Sequence, residues 1–445
     1  MTSTKLNKAA QDAVEQAWNR ESAAANMDRW LTICERENWG EQPENLLLLA
    51  KVFGASWYFT RFVFFHGMEA IKFVDSTNIA ELYTENILLM LQQSRKSDDV
   101  EENFERLRVA KNEIMFRIFL ANLDEKLNQE QLEAALTSLA ECTLQCALEI
   151  LTGPKNMHDL VSILAMGRMA GQEMNYGSDL DLIFLYSKAS GEYQSVLIKQ
   201  IQSLLRHIAL LTPCGILYEI DMRLRPHGTS GTLISPVEYF IDYHKGQREI
   251  WERQMMTRCR PVIDNTGLAA NAINEITSAI YDQHDQDKLQ SEILQMRRKV
   301  QQELGNPKAR YEIKRGYGGI MDIDFLTHYL QLLHGHQHTV LRTASTRDAL
   351  RRLGELDILN EQQTSMLLTA YDFLKRIEGV LRVRDLKSIS AFPKNQEDTE
   401  VHTLARAMGF YHDNVEVSVT EFMEKYREIT QQIRSCFVDM VGAID

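Results

Sequence analysis

The stretch Val161–Tyr186, VSILAMGRMAGQEMNYGSDLDLIFLY, constrains the fold more than any other part of the chain. Two apolar runs, Val161–Met166 and Leu182–Tyr186, flank a polar segment that begins at Gly167. Gly177-Ser178-Asp179-Leu180-Asp181 leads directly into the second run. Strand side chains alternate with period two, so Asp179 and Asp181 fall on one face at the head of that strand. Two like charges beside a core strand are costly unless something positive lies between them. A divalent metal meets that need, and Asp oxygens suit Mg²⁺.

Around this stretch the chain changes character twice. Residues 1–150 read as successive helices, 151–270 as a small α/β unit, and 271–445 as helices again. A length of 445 residues agrees with about two or three folding units. Only 8 prolines interrupt a chain rich in helix formers, so the fold class is α+β and predominantly α-helical. Asp98–Leu123 carries Leu107, Ala110, Ile114, Ile118 and Ala121 at helical spacing. The intervening Arg108, Lys111 and Arg117 read as a solvated face, with a phosphate-lining role as the alternative. In the middle unit the order is strand, loop, strand, helix (Gln194–Leu211), strand (GILYEIDMRL). Thr364–Leu386 and Val415–Val441 are long helical patterns suited to a bundle.

A net charge of −13 argues against a general nucleic-acid binder. The N-terminus has no apolar leader and no apolar stretch approaches about 18 residues, so a cytoplasmic protein without a membrane contact is expected. Among the six cysteines, Cys142 and Cys146 share a helical face and read as buried thiols of a reducing compartment. His334, His336 and His338 alternate at a helix end. Their spacing fits no common metal site and favours an exposed loop.

The third strand supplies another acid. In Leu217–Pro226, alternation places Glu219, Asp221, Arg223 and Arg225 on one face, turned to solvent or lining a polar cleft. Pairing with the Asp179/Asp181 strand favours the cleft. Three carboxylates converging on a two-metal site are what nucleotidyl transfer requires. The Gly167 turn would let backbone N–H groups approach phosphate oxygens.

Gly-Ser-Asp-x-Asp-aliphatic with a third Asp on a following strand resembles the polymerase-β-type nucleotidyltransferase superfamily. Within it, Gly167–Asp181 resembles the signature of the glutamine synthetase adenylyltransferase family, and Gly215–Pro226 resembles its second block. Trp251-Glu252-Arg253 through Arg258, Arg260 and Val262 resembles a third block. Ile313-Lys314 with Gly318–Phe325 resembles a fourth. Leu107–Leu123 is similar to the arginine-rich helix that precedes the family's catalytic unit. The resemblance implies a small nucleotidyltransferase α/β domain between an N-terminal helical region and a C-terminal helical bundle. It implies Mg²⁺-dependent (or Mn²⁺-dependent) transfer of AMP from ATP to a tyrosine of glutamine synthetase, in the regulation of nitrogen assimilation. The alternatives are phosphorolytic removal of that AMP and a related transferase with another protein target. Carried over to matching positions, Asp179 and Asp181 are the metal-binding catalytic pair and Asp221 is the third carboxylate. Gly177 and Ser178 shape the approach of phosphate. Arg223, Arg225, Arg258 and Arg260 either contact the triphosphate or form structural ion pairs. Glutamine synthetase is the implied protein substrate, with a PII-type protein as a candidate regulator docking on the C-terminal helices. The chain departs from the pattern in having Ala170 for Gly, Asp324 for Glu, and one such unit where the family has two in tandem. The spellings Tyr176–Asp181 and Gly215–Glu219 look more like the AMP-attaching unit than the removing one.

Overall fold

A computed structural model describes residues 7–40, 43–76, 82–152, 160–187, 193–246, 249–283, 285–305 and 308–444. At its centre stands a small mixed sheet. Strands β1 (Val161–Met166) and β2 (Leu180–Tyr186) pair antiparallel over most of their length, with Ile163 opposite Phe184. The two-residue strands β3 (Ile220–Asp221) and β4 (Ser235–Pro236) run parallel to β2, and β5 (Cys259–Ile263) runs antiparallel to β1. The sheet order is β3-β2-β1-β5.

Both faces of this sheet are covered, which is why its two main strands read as unbroken apolar runs instead of an alternating pattern. Ile163, Ala165, Leu182 and Phe184 join a core with the N-terminal helices and with the helix Gln194–Ala209. Leu164, Met166, Ile183 and Leu185 join a second core with the C-terminal helices. The N-terminal layer includes Arg20–Glu37, Leu46–Ala55, Trp57–His66, Thr84–Ser94, Val100–Leu123 and Gln129–Thr152. The C-terminal layer includes Gln286–Leu304, Ile320–His334, Thr346–Glu355, Glu361–Val383, Thr399–Ala407 and Val415–Met440. A small hairpin of β6 (Arg310–Glu312) and β7 (Ala391–Pro393) lies within the C-terminal layer.

The two helical layers also touch each other directly. Ser56 Oγ donates to Val383 O at 2.6 Å, Tyr58 N donates to Arg384 O at 3.1 Å, and Arg406 Nε donates to Ala17 O at 3.1 Å. The sheet is therefore the middle of a wrapped structure, clamped from both sides.

Three sequence expectations change. The third strand is only Ile220–Asp221, because the chain turns immediately afterwards. Arg223 N caps Asp221 Oδ1 at 2.8 Å, Gly228 N returns to Arg225 O at 2.8 Å, and His227 takes a left-handed φ of 61°. The expected alternation of four charges along one strand face therefore does not form. Second, Arg108 and Lys111 are buried, not solvated, because the Val100–Leu123 helix is packed on more than one side. Arg108 Nη2 donates to His207 O at 2.6 Å, and Lys111 Nζ sits 5.0 Å from the Tyr218 ring centroid. Third, the span Gln129–Leu151 is long and apolar enough to cross a membrane, with 61% of its most apolar window buried inside this fold. Its scattered glutamates hide that apolarity in the sequence, and one of them, Glu133, is itself buried in ion pairs. The turn-forming pairs Gly153-Pro154 and Asn306-Pro307 lie outside the described residues; the helices before them run to Thr152 and Leu304, and the second ends on Gly305 as the spacing there predicts.

Candidate active site

The register of β2 against β3 builds the acidic centre. Asp181 stands opposite Asp221 in the parallel pair, with Leu180 N donating to Glu219 O at 2.9 Å. Asp179 lies two residues earlier on the same face. One ligand oxygen from each of Asp179, Asp181 and Asp221 lies within 4.8 Å of the others. This is the one group of three or more metal-ligating side chains so arranged among the described residues.

The electrostatics show an excess of negative charge. Asp181 is pushed up to about 7, first by burial and then by Asp179 and Asp221 beside it. Asp221 moves the other way, below its ordinary value, because Arg223 hydrogen-bonds it; Arg223 Nε reaches Asp221 Oδ2 at 2.8 Å. The Arg223 side chain is 75% exposed, so solvent screens much of the charge it sets against the acids. Lys314 also acts on Asp181 from the turn after β6, and burial lowers its own pKa to about 8. A divalent cation fits this donor set: three convergent hard oxygens whose burial and mutual repulsion a positive ion would relieve.

Glycine is required at two places around the acids. Gly167 ends β1 with φ +56°, and a Cβ there would lie 2.7 Å from Asp181 Oδ2. Gly177, φ +60°, would meet the Leu386 carbonyl oxygen at 2.8 Å. The first glycine admits the Asp181 carboxylate, and the second admits the chain just past the Glu361–Val383 helix to the loop. Ser178 Oγ accepts from Asn175 N at 3.0 Å and from Arg382 Nη1 at 3.4 Å.

The other arginines divide. Arg225 donates to three backbone oxygens, Met222 O at 2.7 Å, Gly231 O at 3.2 Å and Thr229 O at 3.2 Å, and so braces the turn after β3. Arg258 is buried, donates to Gly167 O at 3.2 Å and pairs with Glu173 and Asp324. Arg260 donates to Ala170 O at 3.1 Å and pairs with Glu141. These two hold the 167–170 turn from behind. Asp322 and Asp324 face different directions, as two positions on one helix should. Asp322 pairs with Arg297 and Arg434, and Asp324 with Arg168 and Arg258. Glu252 completes a capping box for Ile250–Met256 and accepts from the Tyr243 hydroxyl at 2.6 Å. The thiols of Cys142 and Cys146 are buried, and burial pushes both up to about 12.

Sequence reasoning missed the buried polar cluster behind the loop. Glu173 accepts from Thr346 N at 2.7 Å and from the Tyr371 hydroxyl at 2.8 Å, and it pairs with Arg258 and Arg168. Burial alone would raise its carboxyl, but Arg258, Arg168 and Arg347 hold it far below the usual range. Lys375, Glu378 and Arg382 line up on the helix Glu361–Val383, all buried. The signal was present: charged residues at three- and four-residue spacing beside Leu374, Ile377 and Leu381 form one face that is neither apolar nor solvated.

A mixed sheet between two helical layers, with three acids gathered at the head of neighbouring strands, defines a predominantly helical α+β protein with a carboxylate centre of the divalent-cation type. Residues 48–275 match the family profile described as glutamate-ammonia ligase adenylyltransferase, and residues 287–441 match one described as GlnD PII-uridylyltransferase. The chain belongs to the glutamate-ammonia ligase adenylyltransferase family. It is 34% identical over 289 residues to the bifunctional glutamine synthetase adenylyltransferase/adenylyl-removing enzyme of Nitrosomonas europaea, which covers 64% of this chain and 31% of that one. The proteins of the same name from Nitrosomonas eutropha and Corynebacterium efficiens are 31% and 30% identical, each over 67% of this chain and over 33% and 28% of their own. The chain thus spans about a third of the length of the curated relatives it matches.

Proposed function

We propose that this chain transfers AMP from ATP to a tyrosine of glutamine synthetase, with Mg²⁺ or Mn²⁺ held by Asp179, Asp181 and Asp221. The carrying observation is the convergence of these three carboxylates within 4.8 Å in a chain of this family. In the reaction, the tyrosine oxygen attacks the α-phosphorus of ATP. The O–P bond forms, the bond from the α-phosphorus to the β-phosphate bridging oxygen breaks, pyrophosphate leaves, and the phenolic proton passes to water. A cation bound at the three carboxylates supplies Lewis-acid charge for the phosphates and the attacking oxygen. The protein's own part is positional. Gly167 leaves room for the Asp181 carboxylate, and Gly177 and Ser178 shape the loop where phosphate approaches. Arg223, exposed and tied to Asp221, would be within reach of the triphosphate with a cation held at the three carboxylates. Arg225 is assigned to bracing the turn beneath it.

The alternative reading is phosphorolysis at the same centre: phosphate attacks the phosphorus of AMP-tyrosine, the bond from that phosphorus to the tyrosine oxygen breaks, the phenolate takes a proton from water, and ADP leaves. The units assigned to this work are the N-terminal helical region 1–150, the nucleotidyltransferase domain 151–270 and the C-terminal helical domain 271–445. The last, which matches the PII-uridylyltransferase profile over most of its length, is assigned as the surface for glutamine synthetase or a PII-type protein. The test is incubation with α-labelled ATP, Mg²⁺ and glutamine synthetase, with pyrophosphate and ADP measured separately. Label on the synthetase with pyrophosphate release supports attachment. ADP release from pre-adenylylated synthetase supports removal. Equal label from wild type and Asp179→Ala overturns the assignment of the site.

A further inference from the structure

The loop that presents Ser178 and Asp179 is held, along its whole length, by one helix about two hundred residues downstream in sequence. From the first turn of contact to the last, Tyr371 bonds Glu173 at 2.8 Å, Lys375 Nζ donates to Glu173 O at 3.1 Å, and Asn175 Nδ2 donates to Lys375 O at 2.9 Å. Gly379 lies against Asn175, whose Oδ1 would be 3.1 Å from any Cβ there. Arg382 Nη1 then reaches Ser178 Oγ at 3.4 Å, while its Nη2 pairs with Glu378 at 2.8 Å and its Nε donates to Ile389 O at 3.2 Å. Glu378 is shared, pairing also with Lys375 at 2.8 Å. Arg382 is 4% exposed and Glu378 3%, so neither is a solvated charge that happens to lie nearby.

Such an arrangement is more than packing needs. A buried ion pair is weak support for stability, because its desolvation cost offsets most of the attraction. What a fixed guanidinium fork does well is hold a geometry. Here its three nitrogens grip three things: the Ser178 hydroxyl next to the first catalytic acid, the Glu378 carboxylate on its own helix, and the Ile389 carbonyl past the helix end.

We propose that Arg382 is a positioning residue for the transfer centre, acting through Ser178, with Glu378 fixing its rotamer. It touches neither nucleotide nor target; it sets the height at which Ser178 and Asp179 enter the site. The proposal rests on the reading of function given above. It also explains why the C-terminal helices cannot be a detachable appendage of the sheet: they carry the back wall of the loop.

The test is a double-mutant cycle of Arg382→Gln and Ser178→Ala in the full chain, read as AMP transfer and, separately, as Mn²⁺ affinity by titration calorimetry. Each single change is expected to lower kcat about tenfold or more, as a misplacement in a transfer site does, with KM for glutamine synthetase unchanged. The double variant is expected to be no worse than the poorer single one, within about twofold. Arg382→Lys keeps a charge for Glu378 but loses the fork, so it is expected to keep the wild-type melting temperature and still lose kcat. It is the variant that decides if Arg382→Gln does not fold. Multiplicative losses in the cycle, or full activity in Arg382→Lys, overturn the proposal. If the wild type transfers no AMP at all, the reading of function fails. The same cycle in Mn²⁺ affinity then still decides whether Arg382 acts through Ser178 on the acidic centre.

Discussion

Replacing Gly167 by alanine tests the centre at its tightest point. Two costs follow from the structure. The residue has φ +56°, and a left-handed conformation costs a non-glycine residue about 1–2 kcal/mol. The new Cβ would also stand 2.7 Å from Asp181 Oδ2, where ordinary contact begins at 3.4 Å, so the carboxylate must retreat by about 0.7 Å. Asp181 is short and half-buried at the head of its strand, so a retreat of that size changes its spacing to Asp179 and Asp221. A displacement of that size at a reacting centre costs on the order of 10–100-fold in rate. Gly167→Ala should therefore lower the melting temperature modestly and Mn²⁺ affinity and AMP transfer strongly. Gly409→Ala separates the two costs. Its φ is +93° and nothing lies within 4 Å of its Cβ position, so it should lose stability and keep both metal affinity and transfer. Wild-type Mn²⁺ affinity and transfer in Gly167→Ala, or equal losses in both variants, would refute the reasoning.

Two further outcomes concern stability against pH. The folded protein holds Asp181 at about 7, above the unfolded value of about 3.9, so ionising it destabilises the fold as pH rises through that window. In EDTA, Asp181→Asn should raise the melting temperature more at pH 8 than at pH 5; thermal unfolding at both values checks the order, and the reverse order contradicts it. Lys111 is held at about 7 by burial, below its unfolded value of about 10.4, so its charge destabilises the fold fully below pH 7 and less as pH climbs to 10. Lys111→Met should stabilise the protein by on the order of 2–4 kcal/mol at neutral pH, after allowance for the lost contact with Tyr218, and by much less at pH 10. Denaturant titrations at the two pH values measure this, and a gain that does not shrink on going to pH 10 would count against a buried charge.

Local pattern alone was enough for much of the architecture. The apolar runs at Val161–Met166 and Leu182–Tyr186 are strands, and the long helical spacings around Leu107, Met366 and Phe422 are helices, because period and length speak for a segment without knowledge of its neighbours. Asp179 and Asp181 were legible because alternation after a short Gly-Ser lead puts them on one face, whereas Asp221 joins them through the register of a two-residue strand. Neighbours decided the rest. Nothing in GILYEIDMRL says that the strand stops at Asp221; the return of Arg223 onto that carboxylate stops it. Arg108 and Lys111 are spaced like surface charges, and only the helices closing over them bury them. The pairing of Arg382 with Ser178 joins residues 204 positions apart. Sequence determines which side chains a segment presents to its surroundings. Which distant charge answers a buried one depends on how the layers close, and that is settled only when the desolvation cost of each group is met by a partner in three dimensions.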